Sequence, residues 1–392
     1  MRRVMATSRL ASFICCLVFA LVAMPRTGLA QDQGYESKAR QAILIDARTG
    51  QVLYEKDAGS AIPPASMSKL MTMIMVFEAL KDSKLTLEQE LTVSENAWRR
   101  GGATSGGSTM YADLNSRIKL QDLIKGVVVQ SANDACIAIA EAMSGSEASF
   151  AQKMTERAHE IGAKTATFRN ATGLPDPEHR MSVRDLSIMA RYINITFPEY
   201  YKYYSIPEFT WNKIRQENRN PLLKDYPGAD GMKTGFTKEA GYGLVGSAAR
   251  DGRRLVMVIA GLKSINERKQ EAQNLLDWGF RQFRPVDVFA KGDRVGSARV
   301  WGGTDRSVDL VASDNVRIAL TAAESEVVEM KLAYEGPLMA PVTAGTRVGT
   351  VRFIVDGLTV ADMPVETAAA VALDESMWSR AIDSIFIMVF GS

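Results

Sequence analysis

Ser66-Met67-Ser68-Lys69 sits between the breaker Ile62-Pro63-Pro64-Ala65 and the apolar run Leu70 to Leu80. On a presumptive helix the lysine returns to the serine's face three residues on. A serine hydroxyl is a poor nucleophile unaided, and a neighbouring amine that is neutral when it accepts the proton is one general remedy. The spacing therefore suggests a serine nucleophile with its base built in. A second Ser-x-x-Lys, Ser116-Arg117-Ile118-Lys119, shows that the spacing alone is weak evidence.

The other residue types that do chemistry narrow the field. The two histidines, His159 and His179, lack ligand-spaced partners, so zinc is not expected and neither is a good candidate for a Ser-His-Asp triad. Of three cysteines, Cys15 and Cys16 fall in the leader described below, and Cys136 lies alone in the apolar run Ala135 to Ala140. It reads as a small buried hydrophobe, and the fold must stand on its core without an internal disulfide.

These groups need elements to hold them. Gln41 to Ile45 and Gln51 to Tyr54 read as two strands joined by an Asp- and Gly-containing turn. The helix following Ser66 is apolar nearly all round, which predicts burial between layers. Trp98 to Gly107 is a polar, glycine-rich loop without a phosphate-loop ending, expected on the surface at the rim of a cleft. Helices over Leu120 to Val129 and Ala135 to Met143 leave Ser131 and Asn133 in the short connection between them. Phe150 to Ile161 and Ser182 to Tyr192 are helical, separated by the turn-rich Asn170 to His179, and Phe197 to Asn220 has little periodicity. Tyr242 to Ala248 and Arg254 to Ala260 read as adjacent core strands around an Asp-Gly turn, followed by a helix over Ser264 to Phe280.

After Arg284-Pro285 the pattern changes to short period-two runs: Val295 to Val300, Val316 to Leu320, Val327 to Tyr334, Val348 to Ile354 and Leu358 to Met363. This predicts a small all-β domain over 285–368, after a main domain over 31–284. The remaining 369–392 ends in Met377 to Ser392, a helix with an apolar arc containing Trp378, Ile382, Ile385, Phe386 and Val389. It is too short and polar to span a bilayer but suits the membrane interface. At the other end, Arg2, Arg3 and Arg9 precede the apolar stretch Leu10 to Met24 and the small residues Gly28-Leu29-Ala30, the pattern of a signal peptide over 1–30. Its removal takes Lys+Arg from 47 down by four arginines to 43 against 45 Asp+Glu, a net of −2, which offers no electrostatic case for nucleic acid.

Three elements stand in one order: Ser66-x-x-Lys69, Ser131-x-Asn133 and Lys233-Thr234-Gly235. Together they resemble the serine penicillin-recognising enzymes. The likeness extends through Asn218-Arg219-Asn220-Pro221-Leu222-Leu223, Gly228 to Thr237 and Glu239-Ala240-Gly241-Tyr242, and at that density the chain is similar to the D-alanyl-D-alanine carboxypeptidases, low-molecular-mass penicillin-binding proteins. Decoys test the point: Ser94-Glu95-Asn96 lacks the rest of the set, and Ser313-Asp314-Asn315 follows Lys233 and falls in the β domain. The close match covers about residues 35 to 284; the β domain and tail match the family's arrangement of parts.

The resemblance implies a penicillin-binding, β-lactamase-like α/β transpeptidase domain, followed by a small all-β domain and an amphipathic C-terminal helix. It implies that Ser66 attacks the carbonyl between the terminal D-alanines of a peptidoglycan stem peptide, with β-lactam antibiotics as covalent inhibitors at the same serine. Lys69 would take the hydroxyl proton, its pKa lowered by burial beside Lys233. Ser131 would pass a proton to the departing amine, and Asn133 would bind substrate backbone. The N–H groups of Ser66 and Phe236, the latter after Gly235, would form the oxyanion hole. Thr234, with Arg219 or Arg268, would seat the terminal carboxylate. No cofactor is implied. Some family members carry His where this chain has Phe236, which removes any side-chain contribution to deacylation there.

Other acyl-serine outcomes share these motifs. A β-lactamase would be expected to carry a Glu-x-x-Leu-Asn loop, and Asn170 to His179 contains Glu178 without it. DD-endopeptidase or transpeptidase chemistry would use the same acyl-enzyme with another acceptor. A non-catalytic envelope binding protein would have no need of Ser66, Lys69, Ser131 and Lys233 together. Leader and tail together suggest an exported, periplasmic protein attached to the outer face of the inner membrane.

Overall fold

The computed structural model describes residues 34–376 except Asp356, together with the backbone of 2–9. The rest of the expected leader and the expected helix over Met377 to Ser392 lie outside the described residues. The chain divides into one compact unit over Gly34–Arg281 and a second that takes the residues from Gln282 onward.

The first unit is built on a five-stranded antiparallel sheet. Its strands are β1 (Gln41–Asp46), β2 (Val52–Lys56), β3 (Ala229–Thr237), β4 (Gly241–Arg250) and β5 (Arg253–Leu262), in the order β2-β1-β5-β4-β3. The turn at Asp251-Gly252 joins β4 to β5 with both residues at positive φ, as a tight hairpin requires. Both faces of the sheet are covered, because the central strands carry apolar residues at successive positions. Ile43, Ile45, Val256 and Val258 join the large helical core, whereas Leu44 and Leu255 meet the helix Ile265–Gln282 where Gly279 permits close approach.

The helical side is organised around α1 (Lys69–Lys81), whose Leu70, Met71, Met73, Ile74, Val76 and Phe77 are all buried. The expectation of a helix enclosed on all sides thus holds, with one refinement. Ser66 lies in a preceding 3-10 turn, Ala65–Ser68, and the α-helix proper begins at Lys69. Around it pack α2 (Asn133–Ser144), α3 (Glu147–Glu160) and α4 (Val183–Thr196). The last is started by a reciprocal capping box between Ser182 and Asp185.

Several expectations are corrected. Trp98 to Gly107 is a π-helical turn, Ala97–Gly101, and a 3-10 turn, Ala103–Ser105, rather than an open loop. Gly101 is held there because a Cβ would come within 2.3 Å of the Asp134 backbone nitrogen. The stretch Phe197 to Asn220 contains a hairpin, Glu208–Trp211 with Ile214–Glu217. Its turn runs through Asn212 and Lys213, both at positive φ, a combination with no strong residue signal. Asn133 is the first residue of α2 and not part of the connection.

The second unit is all-β. Strands Arg294–Trp301, Ser307–Ala312, Glu329–Glu335, Arg347–Val355 and Leu358–Thr367 share a mostly antiparallel sheet, and Arg284–Phe289 pairs with Val316–Leu320. Their inward residues, among them Val308, Leu310, Phe353 and Val365, form a separate core.

Candidate active site

Ser66 lies at the open end of the core helix, and two clefts meet there. One, of about 640 Å³, is lined by Pro63, Leu174, Asp176, Arg180 and Lys238 among others. The second, of about 600 Å³, is lined by Ser131, Arg219, Lys224, Thr234, Arg268 and Lys269 among others. Ser66, Ser108 and Phe236 border both. The second cleft is therefore the basic one.

Lys69 is fully buried, and its Nζ lies 3.0 Å from Ser66 Oγ and 2.8 Å from Asn133 Oδ1, with a third contact to the Thr172 carbonyl oxygen. Burial pulls its pKa down to about 8, Arg219 acts in the same direction, and Cys136, Asp134 and Glu147 oppose it. Lys233 Nζ is also buried and donates to the Thr234 carbonyl at 3.3 Å. Its pKa falls well below the ordinary lysine value, through burial first and the Lys69 charge second. Burial thus disfavours the ammonium form of both lysines, and the free amine of Lys69 is the form that can accept the Ser66 proton. The expected cause is thereby corrected in emphasis: loss of hydration dominates the Lys69 shift.

Ser131 is held in the left-handed region at φ 66 between the end of one helical segment and α2. Its buried hydroxyl has no hydrogen-bond partner among the described residues. An orphaned buried hydroxyl is costly, and one facing a cleft is ready for a ligand's polar group. Asn133 is aimed by the backbone bond from its N–H to the Ser108 carbonyl, 2.8 Å.

The inner edge of the basic cleft is β3, which carries Lys233, Thr234, Gly235 and Phe236 past the Ser66 turn. Gly235 is required by proximity, since a Cβ would lie 2.9 Å from the Pro64 carbonyl oxygen. Phe236 is 51% exposed and packs on Tyr242 with ring centroids 4.3 Å apart. The two arginines are not equivalent. Arg219 donates to Ser108 Oγ at 2.6 Å and to Gln130 Oε1 at 3.3 Å. Arg268 is 6% exposed, sits 5.7 Å from the Tyr242 ring centroid, and its buried Nε has no partner among the described residues. Burial lowers its pKa to about 10.

The structure thus brings together every residue that the motifs single out and leaves the decoys apart. Lys119 is paired with Glu88 at 2.6 Å on the surface, and Ser94 and Asn96 both bond Glu141. His179 is buried, its Nδ1 accepting from the Arg169 N–H, and burial lowers its pKa to about 4. Cys136 is buried and its thiol is pushed up to about 12 by burial, consistent with an inert packing role. Sequence reasoning read Asn170 to His179 as turn-rich but missed that this turn presents the Thr172 carbonyl to Lys69. Asn170 followed by Gly173 was the available sign, because Asn caps such turns and Gly supplies positive φ.

Comparison with known proteins places this geometry. The family described as D-alanyl-D-alanine carboxypeptidase matches residues 27–264, and the penicillin-binding protein 5 C-terminal domain matches 283–373. The D-alanyl-D-alanine carboxypeptidase DacC of Escherichia coli is 37% identical over 347 residues, covering 86% of each chain. Penicillin-binding protein 5 of Haemophilus influenzae superposes with a TM-score of 0.78 at 35% identity, covering 86% of this chain and 98% of the other. Penicillin-binding protein D2 of Listeria monocytogenes, solved in an ampicillin-bound form, gives 0.54 at 30% identity, covering 62% and 98%. With matches that span both units and a serine–lysine pair at the junction of two clefts, this chain belongs to the D-alanyl-D-alanine carboxypeptidase family.

Proposed function

We propose that this protein removes the terminal D-alanine of peptidoglycan stem pentapeptides through an acyl-enzyme on Ser66, and that penicillins acylate the same serine. The observation that carries the reading is a fully buried amine with a lowered pKa, 3.0 Å from a hydroxyl that borders two clefts. Family membership fixes the leaving group as D-alanine. Its free carboxylate calls for cations, so it belongs in the cleft of Thr234, Arg219 and Arg268, and the rest of the stem lies in the other.

Lys69 takes the Ser66 proton as Oγ bonds to the carbonyl carbon, and the oxyanion forms between the backbone N–H groups of Ser66 and Phe236. The C–N bond breaks as Ser131 gives its proton to the nitrogen and takes the one held by Lys69, a relay role supported by a buried hydroxyl with no partner among the described residues. Water then attacks the ester carbonyl and gives a proton to the freed Lys69, which returns it to Ser66 Oγ as the C–O bond breaks. A β-lactamase reading is disfavoured: Glu178 is 71% exposed and paired with Arg169 at 3.2 Å, so it is not held over Ser66 to activate water. Penicillin is expected to leave slowly. The leader and the tail support export and attachment to the outer face of the inner membrane, and the role in cell-wall biogenesis follows.

The test is D-alanine release from a synthetic stem pentapeptide, beside a Ser66→Ala protein, with intact-mass detection of the penicillin adduct. Release and a one-to-one adduct, both lost in the variant, establish the reading. An adduct without release moves the reaction toward endopeptidase or transpeptidase work, and neither signal from folded protein overturns it in favour of a binding role.

A further inference from the structure

A neutral primary amine has two hydrogens and one lone pair. Lys69 Nζ has three oxygen neighbours, of which the Thr172 carbonyl and Asn133 Oδ1 can only accept. The third, Ser66 Oγ, is the one that can donate. When the two acceptors take both hydrogens, the lone pair is left facing the serine hydroxyl, and the direction of proton transfer is set before substrate arrives.

Asn133 Oδ1 is fixed by a helix start, but the Thr172 carbonyl belongs to an irregular turn and needs its own support. The Asn170 carboxamide provides it. Asn170 is 8% exposed, and its Oδ1 accepts from Thr172 N–H at 3.1 Å, Thr172 Oγ1 at 3.0 Å and Gly173 N–H at 2.7 Å. Its Nδ2 donates to the Leu174 carbonyl at 3.0 Å. One side chain thus closes both ends of the turn. The intervening Ala171 is pinned from two helices: its N–H donates to Glu147 Oε1 at 3.2 Å, and its carbonyl accepts from Thr72 Oγ1 at 2.7 Å. On the other side Gly173, at φ +77, lies against the residue before the nucleophile, where a Cβ would come 2.0 Å from the Ala65 carbonyl oxygen.

We propose that Asn170 is a positioning residue for acylation: it shapes the 170–174 turn so that the Thr172 carbonyl occupies one hydrogen of Lys69 and directs the amine's lone pair at Ser66. This rests on the acyl-serine reading above. Asn170 itself makes no contact with the reacting atoms.

The test is the rate of penicillin acylation across pH, with thermal stability measured alongside, for wild type, Asn170→Ala and Asn170→Asp. The charged and titratable groups acting on Lys69 are Cys136 and Asp134 from α2, Glu147 from α3, Lys233 from β3, Arg219, and His179 after the turn. All remain in the variants. Asn170→Ala releases the carbonyl, so the plateau rate at high pH falls about tenfold to a hundredfold. The ammonium form also loses an acceptor, so the acid limb moves to lower pH. Asn170→Asp keeps an oxygen for all three donors but loses the bond to the Leu174 carbonyl, so the plateau falls less than in Asn170→Ala, and its added negative charge moves the limb to higher pH. A purely structural role would lower stability without displacing the limb of Asn170→Ala, which adds no charge. Plateaus and limbs unchanged in folded Asn170→Ala overturn the proposal, as do equal plateau losses in both variants with no displacement. If Asn170→Ala does not fold, Asn170→Asp decides: an unmoved limb overturns it. A wild-type protein that forms no adduct removes the underlying reading first, which separates the two failures.

Discussion

At the scale of single residues the site depends on how burial changes proton affinity. The pKa of Lys69 is lowered to about 8 because an ammonium there has lost its water. Acylation requires the free base, so its rate is expected to rise with pH and level off above about 8; a profile flat from pH 6 to 9 would show that Lys69 is not the titrating base. Lys69→Ala is expected to slow acylation about 10²- to 10⁴-fold, the usual worth of a general base. Arg268 predicts a different pattern. The residue lines the cleft where the carboxylate would sit, and its buried Nε has no partner among the described residues. Arg268→Gln should lower kcat/KM for pentapeptide about 10- to 100-fold, the loss of one charge-assisted hydrogen bond, mostly through KM. Steady-state D-alanine release measures both. The residue types were legible in the sequence, because Ser66, Lys69, Ser131, Asn133 and Lys233 stand in one recognisable order. The Thr172 contact was not, since any residue supplies a backbone carbonyl and only the path of the chain aims it.

At the scale of elements, function rests on how closely the Ser66 turn is approached from two sides. The 170–174 turn leaves no space for a Cβ at Gly173. Gly173→Ala should therefore slow acylation at least tenfold and lower the melting temperature, whereas Gly145→Ala, at positive φ but with open space, should lower stability alone. On the other side β3 is tied down by Asp230, which forms a bidentate pair with Arg254, both bonds at 2.6 Å, while Tyr201 donates to the same carboxylate at 3.0 Å. The pair is about a quarter exposed, so Arg254→Met is expected to cost roughly 1–3 kcal/mol in urea unfolding. A long apolar run made α1 readable in advance, as two apolar runs around an Asp-Gly turn did the β4–β5 hairpin. The hairpin at 208–217 and the helical turns at 97–105 were not readable, because short elements held by tertiary contacts carry little pattern of their own.

At the scale of the whole molecule, the two compact units divide the work. All residues of the candidate site lie within Gly34–Arg281. A protein truncated after Arg284 is expected to fold and to acylate within about threefold of the full chain, a small change consistent with an intact base and nucleophile. Acylation kinetics and a single cooperative melt would check it. We expect the tail to matter for location: the full mature chain should co-sediment with anionic vesicles, and deletion of 377–392 should abolish this without changing D-alanine release. Co-sedimentation that survives the deletion would assign membrane binding elsewhere.

The sequence by itself determined the chemistry and its order along the chain: a serine with a lysine one turn on, a serine–asparagine pair, and a Lys-Thr-Gly strand, with a β-rich segment after them. These are local properties of residue type and spacing. Tertiary structure decided which of them act together. It buried two lysines in one dry site, where loss of hydration lowers the pKa of each. It left the Ser131 hydroxyl and the Arg268 Nε without partners among the described residues, and it folded an asparagine-closed turn over the amine. Those outcomes depend on burial and on backbone groups meeting across long sequence separations, quantities that no single stretch of the chain contains.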